Sequence, residues 1–500
     1  MEAISTGSLT RRRPPRESGV VLVITLLIVI VLTGMAIVFA RSMRVEAMAS
    51  ANQLARAQAR AIALGAAQAV MALGDELPAD AVELGGGAFW ILQPNFEDDR
   101  ISAFGIVDES SKINLNTATE QQLLALPGVD ELIAAAIIDW RDSDAEPSPN
   151  GAESDYYLMQ NDPYLAKDGN FETVEELLLV RGITAVELYG EDKNRNGILD
   201  ENENDASDSD PPDNRDGKLD RGLFDFVTVY SSEPSASRTN VNGSQSSGGS
   251  TGGASTGGAS PGGAAPGGGG QSRGGSSGGG EVDQALLQAL TSAGEEAGWK
   301  EDRINEIARS ITSGRPFSNM VDFFYKSGMT LDEFNDVHDL FTTSSEEQKG
   351  LVNVNSAPRE VLMAIGLEES EADALISYRL SAGATTGSGV VESESQETGE
   401  LASVAWITQV LEQSRAVAIG STITTESFQR SADIVAVSGN GRAFERYRLV
   451  YDTSSGTQPR VLCWQRLTYL GWPLDPQILV DLKNGKPVSD LIQTTNRGSF

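Results

Sequence analysis

The sequence predicts an α+β chain: a long N-terminal membrane helix, a small antiparallel sheet, and a large all-α insert with duplicated helix-hairpin-helix units. Three observations predict it. Val20 to Ala40 is an uncharged apolar run. Alternating apolar runs separated by turn residues occupy two distant stretches, 88–113 and 432–470. Between those stretches one helical pattern occurs twice.

The apolar run spans roughly 31 Å as a helix at 1.5 Å per residue, close to the hydrocarbon thickness of a bilayer. It passes straight into Arg41-Ser-Met-Arg44 rather than into the small-residue cleavage site of a secretory signal. Arg11, Arg12, Arg13 and Arg16 precede it, so the leader is expected to stay on the cytoplasmic side. The helical pattern continues beyond Ala40. Residues 47–72 hold 12 alanines, and no proline occurs between Val20 and Leu77. One continuous helix from Val20 to about Leu73 follows, with a lipid-embedded first half and a soluble second half.

The strands come next. AFWIL (88–92), ISAFGIVD (101–108) and KINLN (112–116) alternate fairly. ADIVAVSG (432–439) and AFERYRLVYD (443–452) form a hairpin on Asn440-Gly441, and PRVLCWQRLTYL (459–470) supplies a third strand. These strands are expected to join those of 88–113 in one antiparallel sheet on the soluble half of the first helix.

The helical pattern is NLNTATEQQLLALPGVDELIAAAIIDWR at 114–141 and NVNSAPREVLMAIGLEESEADALISYR at 353–379. Asn114, Asn116, Ala118 and Leu123 align with Asn353, Asn355, Ala357 and Leu362 at a constant offset, evidence of internal duplication. Each copy reads as two helices around a glycine turn. A carboxylate follows each glycine (Asp130 after Gly128, Glu368 after Gly366), where a nucleic-acid phosphate would approach. The chain carries 38 Lys+Arg against 71 Asp+Glu, a net charge of −33. Nucleic-acid binding is therefore not expected, because it needs a basic surface. One histidine and one cysteine exclude multi-histidine metal sites and an intrachain disulfide. No nucleophile elbow, phosphate loop or zinc motif appears, and no enzymatic activity is expected.

The sharpest chemical signal is at 192–203, which fits the twelve-residue calcium loop Asp-x-Asn-x-Asn-Gly-x5-Glu. Asp192, Asn194 and Asn196 would supply side-chain oxygens, Ile198 its carbonyl, Asp200 the ninth position and Glu203 two oxygens. Asp213, Asp216 and Asp220 form a second, partial loop. Residues 191–220 hold 11 acids against 4 bases, a charge density that bound Ca²⁺ would offset. Pro211-Pro212 follows too soon for long flanking helices, so a calcium-stapled loop is expected. Residues 243–280 contain 18 glycines and read as a flexible linker; 382–400 reads as a second mobile loop.

A basic leader ending in glycine, an apolar half-helix and an amphipathic half-helix resemble a type IV prepilin or type II secretion pseudopilin. NLNTA, GAESDYY (151–157), FETVEELLLVRGIT (171–184), the acidic loop, RGLFDFVTVYS (221–231) and NVNSAP sharpen this. Together they resemble the type II secretion minor pseudopilin K family, also called general secretion pathway protein K. The resemblance implies peptidase cleavage between Gly19 and Val20. Position five after that cut is Ile24, where most pseudopilins carry glutamate and the K type does not.

The resemblance further implies a helical, calcium-carrying domain inserted into a pilin-like α/β frame. It implies a place at the pseudopilus tip with minor pseudopilins I and J and other pseudopilins, starting fibre assembly and supporting protein export. Contact with secreted substrates or the outer-membrane channel is a further implication. The chain would be a single-pass inner-membrane protein with its bulk in the periplasm. The expected domains are leader 1–19; helix 20–74, transmembrane over 20–40; frame 75–113; insert 114–242; linker 243–280; insert 281–430; and frame 431–500. A membrane-anchored helix-hairpin-helix DNA-uptake protein and a type IV pilus minor pilin are the rival readings.

Overall fold

The structure, a computed structural model, describes residues 18–74, 77, 81–206, 208, 211–235, 238–243, 284–382, 399–456 and 458–487. The leader before Ser18, nearly all of the glycine-rich stretch and most of 382–400 lie outside these residues.

Helix α1 runs from Ser18 to Leu73, 56 residues without a break. Its apolar first part, from Val20 to Ala40, is exposed along its length. Among the described residues it is the one helix long and apolar enough to cross a membrane. The second part buries a stripe of Ala55, Ala59, Ile62, Ala63, Ala66 and Val70. That is one face of a 3.6-residue period, and its small side chains let the helix lie close on a sheet. Strands β1 (Val82–Leu84) and β2 (Gly87–Gln93) follow, then two short pieces, β3 (Ala103–Phe104) and β4 (Val107–Asp108).

The insert then begins. Its first unit opens on β5 (Ile113–Asn114) and contains α2 (Glu120–Leu124), α3 (Glu131–Arg141), α4 (Ser154–Tyr157) and α5 (Ala185–Tyr189). It closes on β6 (Val227–Thr228), which pairs with β5 in parallel. After β7 (Ser232–Glu233), a second unit opens on β8 (Thr239–Asn240). It carries α6 (Gln284–Glu296), α7 (Glu301–Gly314), α8 (Met320–Ser327) and α9 (Leu331–Asn335). It closes on β9 (Phe341–Thr342), again parallel to its opening strand. After β10 (Gln348–Lys349), which pairs with β7, the third unit opens on β11 (Val352–Asn353). It carries α10 (Arg359–Ala364), α11 (Glu369–Ser381) and α12 (Gln413–Ile419), and closes on the parallel strand β12 (Ile423–Thr424).

The insert therefore holds three related units where the sequence shows two. Each opens on Asn-x-Asn. In all three the first asparagine accepts the N–H of the second at 2.9 Å: Asn114 from Asn116, Asn240 from Asn242, Asn353 from Asn355. The second asparagine then clamps a distant backbone. Asn116 accepts the Phe171 N–H at 2.7 Å and donates to its carbonyl at 3.0 Å. Asn242 does the same with Phe317 at the same two distances. Asn355 donates to the Leu401 carbonyl and accepts from the Trp406 indole. In the first and third units an arginine ending the second helix ties back to the start. Arg141 donates to the Leu115 and Ala118 carbonyls, and the fully buried Arg379 to those of Val354 and Ala357.

The expected carboxylates at the two glycine turns cap helices. Asp130 accepts the Ile133 N–H at the start of α3. Glu368 caps α11 through a capping box with Glu371. Each occupies the helix N-terminus that a phosphate would use.

The chain returns to the frame with β13 (Gln429–Val437), β14 (Phe444–Asp452) and β15 (Arg460–Arg466), and ends on α13 (Pro476–Lys483). The sheet order is β1-β2-β13-β14-β15, antiparallel throughout, with β3 on β2 and β4 on β13. Ile434 lies opposite both Ile91 and Tyr447. One face packs Phe89, Ile91, Ile434 and Leu449 on α1. The other packs Trp90, Leu92, Val435 and Val437 on Ile478 and Leu482 of α13. The frame is thus two chain segments closed around one sheet, as expected.

Two expectations change. KINLN does not join the sheet: β5 pairs with β6, because its asparagines are spent on the unit's own closure. The insert is not wholly helical, since each unit is tied by a two-residue parallel pair. Cys463, on the edge strand β15, is half-buried.

Candidate metal centre

The acidic segment is pinched at its base. Gly190 (φ +68°) ends α5 and bridges Arg221 antiparallel, and the Glu191 N–H bonds the Asp220 carbonyl at 2.9 Å. A Cβ on Gly190 would sit 2.1 Å from the Asp220 oxygen and 2.5 Å from the Gly222 nitrogen, both backbone. Gly190→Ala should therefore open the base and destabilise the chain by about 2–4 kcal/mol. Urea unfolding checks this; a loss under about 0.5 kcal/mol would contradict the pinch.

Within the first loop the predicted residues converge. Arg195 and Gly197 take positive φ (+56° and +73°) and turn the chain back on itself. The Asp192 carboxylate accepts the N–H groups of Asn196 (3.0 Å) and Gly197 (2.8 Å). Glu203 returns from the far end and accepts those of Lys193 (2.9 Å) and Asp200 (3.1 Å). The amides of Asn194 and Asn196 donate to the same Asp200 oxygen at 2.6 and 3.2 Å. Ile198 donates its N–H to Asn196, in register for a seventh position. Asp192 and Glu203 are buried, at 6% and 1% exposure. Burial, then the charge of Asp225, pushes Asp192 up to about 6. Burial, then the charge of Asp192, pushes Glu203 up to about 8. The Oδ1 of Asn194 is buried without a hydrogen-bond partner. Two buried carboxylates held above their ordinary range, with an orphaned amide oxygen beside them, fit a hard cation bound by oxygen. Carboxylate and amide oxygens of this kind are the donors that a twelve-residue Ca²⁺ loop uses.

The second loop repeats the first at an offset of twenty. Asn214 donates to Asp220 at 2.8 Å as Asn194 does to Asp200, and Arg215 and Gly217 repeat the positive φ values. The place of Asp192 is taken by Pro212. Of the predicted residues, Asp213 turns to the backbone of Asp205, Ala206 and Arg215, while Asp216 binds the Lys218 N–H. The counterpart of Glu203 is Glu191, which accepts the N–H groups of Asn214 (3.2 Å) and Asp220 (3.1 Å). The sequence reading missed Glu191 because it precedes the first loop rather than ending the second.

A third group lies apart from both loops. Asp139 and Asp142 at the end of α3 and Glu153 at the start of α4 bring one oxygen each within 4.8 Å of one another. Asp139 and Glu153 are buried, at 1% and 4% exposure. Ser148 donates its N–H and hydroxyl to Asp139. Neither oxygen of Glu153, nor Oδ1 of Asp142, has a hydrogen-bond partner. Burial, then the charges of Asp168, Asp139 and Asp142, pushes Glu153 up to about 7. Gly151 is required by close approach, since a Cβ there would lie 1.9 Å from Asp139 Oδ2. GAESDYY carries Glu153 in the sequence, but its partners lie across a gap of at least ten residues that fits no linear metal motif.

The first helical unit is where a known family is found. Residues 105–189 match the family model for type II secretion system (T2SS), protein K. A search of curated proteins finds no match. Among solved structures, the crystal structure of the GspK-GspI-GspJ complex from the enterotoxigenic Escherichia coli type 2 secretion system is similar. That similarity has 11% identity and a TM-score of 0.35, covering 82% of this chain and 93% of that one. Over residues 105–189, then, the chain is similar to the type II secretion system protein K family.

Proposed function

We propose that this protein is a minor pseudopilin at the tip of a type II secretion pseudopilus, where it starts fibre assembly and supports export. The observation that carries the reading is α1: an exposed apolar half-helix of membrane length that runs unbroken into a half packed on an antiparallel sheet. Such a helix anchors the subunit in the inner membrane and can exchange lipid for neighbouring subunits of a fibre. Ile24, in place of an acid, leaves this chain without a charge to offer a predecessor's N-terminal amine, which suits a first subunit. Its partners would be minor pseudopilins I and J, other pseudopilins and the prepilin peptidase, with secreted substrates or the outer-membrane channel beyond. The bulk would lie in the periplasm.

The role is structural, and no reaction is assigned. Calcium would rigidify the insert, through Asp192, Asn194, Asn196, Ile198, Asp200 and Glu203, through Glu191, Asp216 and Asp220, and through Asp139, Asp142 and Glu153. Calcium supplies charge compensation there; the chain's own residues supply the oxygen cage and its backbone framing. The family match does not favour a DNA-uptake protein or a type IV pilus minor pilin.

Coexpression with a prepilin peptidase should shorten the chain by the 19 residues that end at Gly19, and Gly19→Val should block the cut. Mass spectrometry checks both. An intact leader beside a processed control prepilin would contradict the reading.

A further inference from the structure

The first metal loop belongs to the insert by sequence, yet its backbone is held by the frame. Arg446 lies on β14, opposite Val435 and therefore on the sheet face turned away from α1. Its side chain is fully buried. Its guanidinium is held by Asp433 through Nε (2.9 Å) and reaches across to the Asn194 carbonyl through Nη1 (2.6 Å) and to the Arg195 carbonyl through Nη2. Those two carbonyls lie on either side of Arg195, one of the loop's two positive-φ residues. The frame touches the same loop elsewhere too. Asn196 donates to the Pro473 carbonyl at 3.1 Å, and Leu199 donates to the Asp99 carbonyl at 2.7 Å.

We infer that Arg446 is a positioning residue for the cation of the 192–203 loop, so that ion binding and docking of the insert on the sheet are one coupled event. The inference rests on the calcium reading of that loop. Its physical content is that a guanidinium bound to two loop carbonyls fixes the turn before the ion arrives. The ordering that an ion would otherwise have to impose is then already in place. Coupling is reciprocal: if docking tightens the ion, the ion tightens docking by the same factor. A donor set built by the insert alone would make the ion a local staple. Arg446 makes it a tie between the two parts of the chain.

The test uses the full chain in detergent, stripped of metal and titrated with Ca²⁺, followed by hydrogen exchange of separate peptides. In the parent, Ca²⁺ should slow exchange in 193–203 and also in the frame peptides 444–452 and 467–475. Arg446→Met should move the calcium midpoint for 193–203 at least tenfold higher, and Arg446→Lys, which keeps one donor, should fall between. Asp192→Ala, made in the loop itself, should abolish the calcium effect on both frame peptides; it keeps the test open if Arg446→Met does not fold. An unchanged midpoint in Arg446→Met, or frame peptides in the parent that ignore calcium while 193–203 responds, would overturn the positioning role alone. No response of 193–203 in the parent would overturn the calcium reading and this inference with it.

Discussion

Glu109→Leu should destabilise the protein by about 3–5 kcal/mol, the usual cost of leaving a buried charge without its partner. Glu109 is fully buried where the frame meets the first unit. It accepts from the Thr228 hydroxyl and from Arg448 (3.4 Å), and Lys112 lies 4.0 Å away. Lys112 and Arg448 are themselves buried, and both face the Phe224 ring, at 5.8 and 4.4 Å from its centroid. Removing the carboxylate leaves two cations in a low-dielectric gap with one ring between them. Burial pushes the Glu109 carboxyl up, but Lys112, Arg448 and its hydroxyl partners outweigh it and hold it below the ordinary range. Its contribution is therefore present above the ordinary carboxylate range and is lost as the pH falls through it. Urea unfolding at pH 7 measures the effect. Adding Lys112→Met and Arg448→Met should recover much of the loss; a single-variant loss under about 1 kcal/mol would contradict the account.

The second large effect is a pH dependence that calcium removes. In chelator, Asp192, Glu153 and Glu203 hold protons up to about 6, 7 and 8. Each folded value lies above the unfolded one, so the folded state binds more protons. Stability is fully present below the ordinary carboxylate range and falls as the pH rises through these values. Bound Ca²⁺ replaces the protons and should flatten the fall. At pH 8, millimolar Ca²⁺ should raise Tm by roughly 5–10 °C. Thermal melts from pH 5 to 9, with and without chelator, check it. Profiles that superimpose would remove the metal from the account.

How much of this the sequence could tell depended on whether a feature is local. The long apolar helix, the hairpin of β13 and β14 and the helices around the glycine turns are written in periodicity and turn residues over short spans. The 192–203 loop was legible because all its positions fall in one stretch. Glu191 was not, because it completes a loop that starts twenty residues later. The group of Asp139, Asp142 and Glu153 was not, because the fold of α3 against α4 brings it together: Trp140 packs edge-on to Tyr157 with ring centroids 5.2 Å apart. The third unit escaped notice because the glycine-rich stretch separates Asn240-Val241-Asn242 from its helices. What identifies it is the hydrogen-bond pattern of Asn242 on Phe317, which repeats that of Asn116 on Phe171. Arg446 carries no sequence signal at all, since an arginine in an alternating strand reads as a solvent-facing residue.

The central claim is that this chain works as a K-type minor pseudopilin, and its partners test that most directly. The soluble regions of I- and J-type minor pseudopilins should be mixed with this chain and analysed by size-exclusion chromatography with light scattering. The account predicts a complex containing one copy of each. An I–J pair that forms while this chain elutes alone would contradict it.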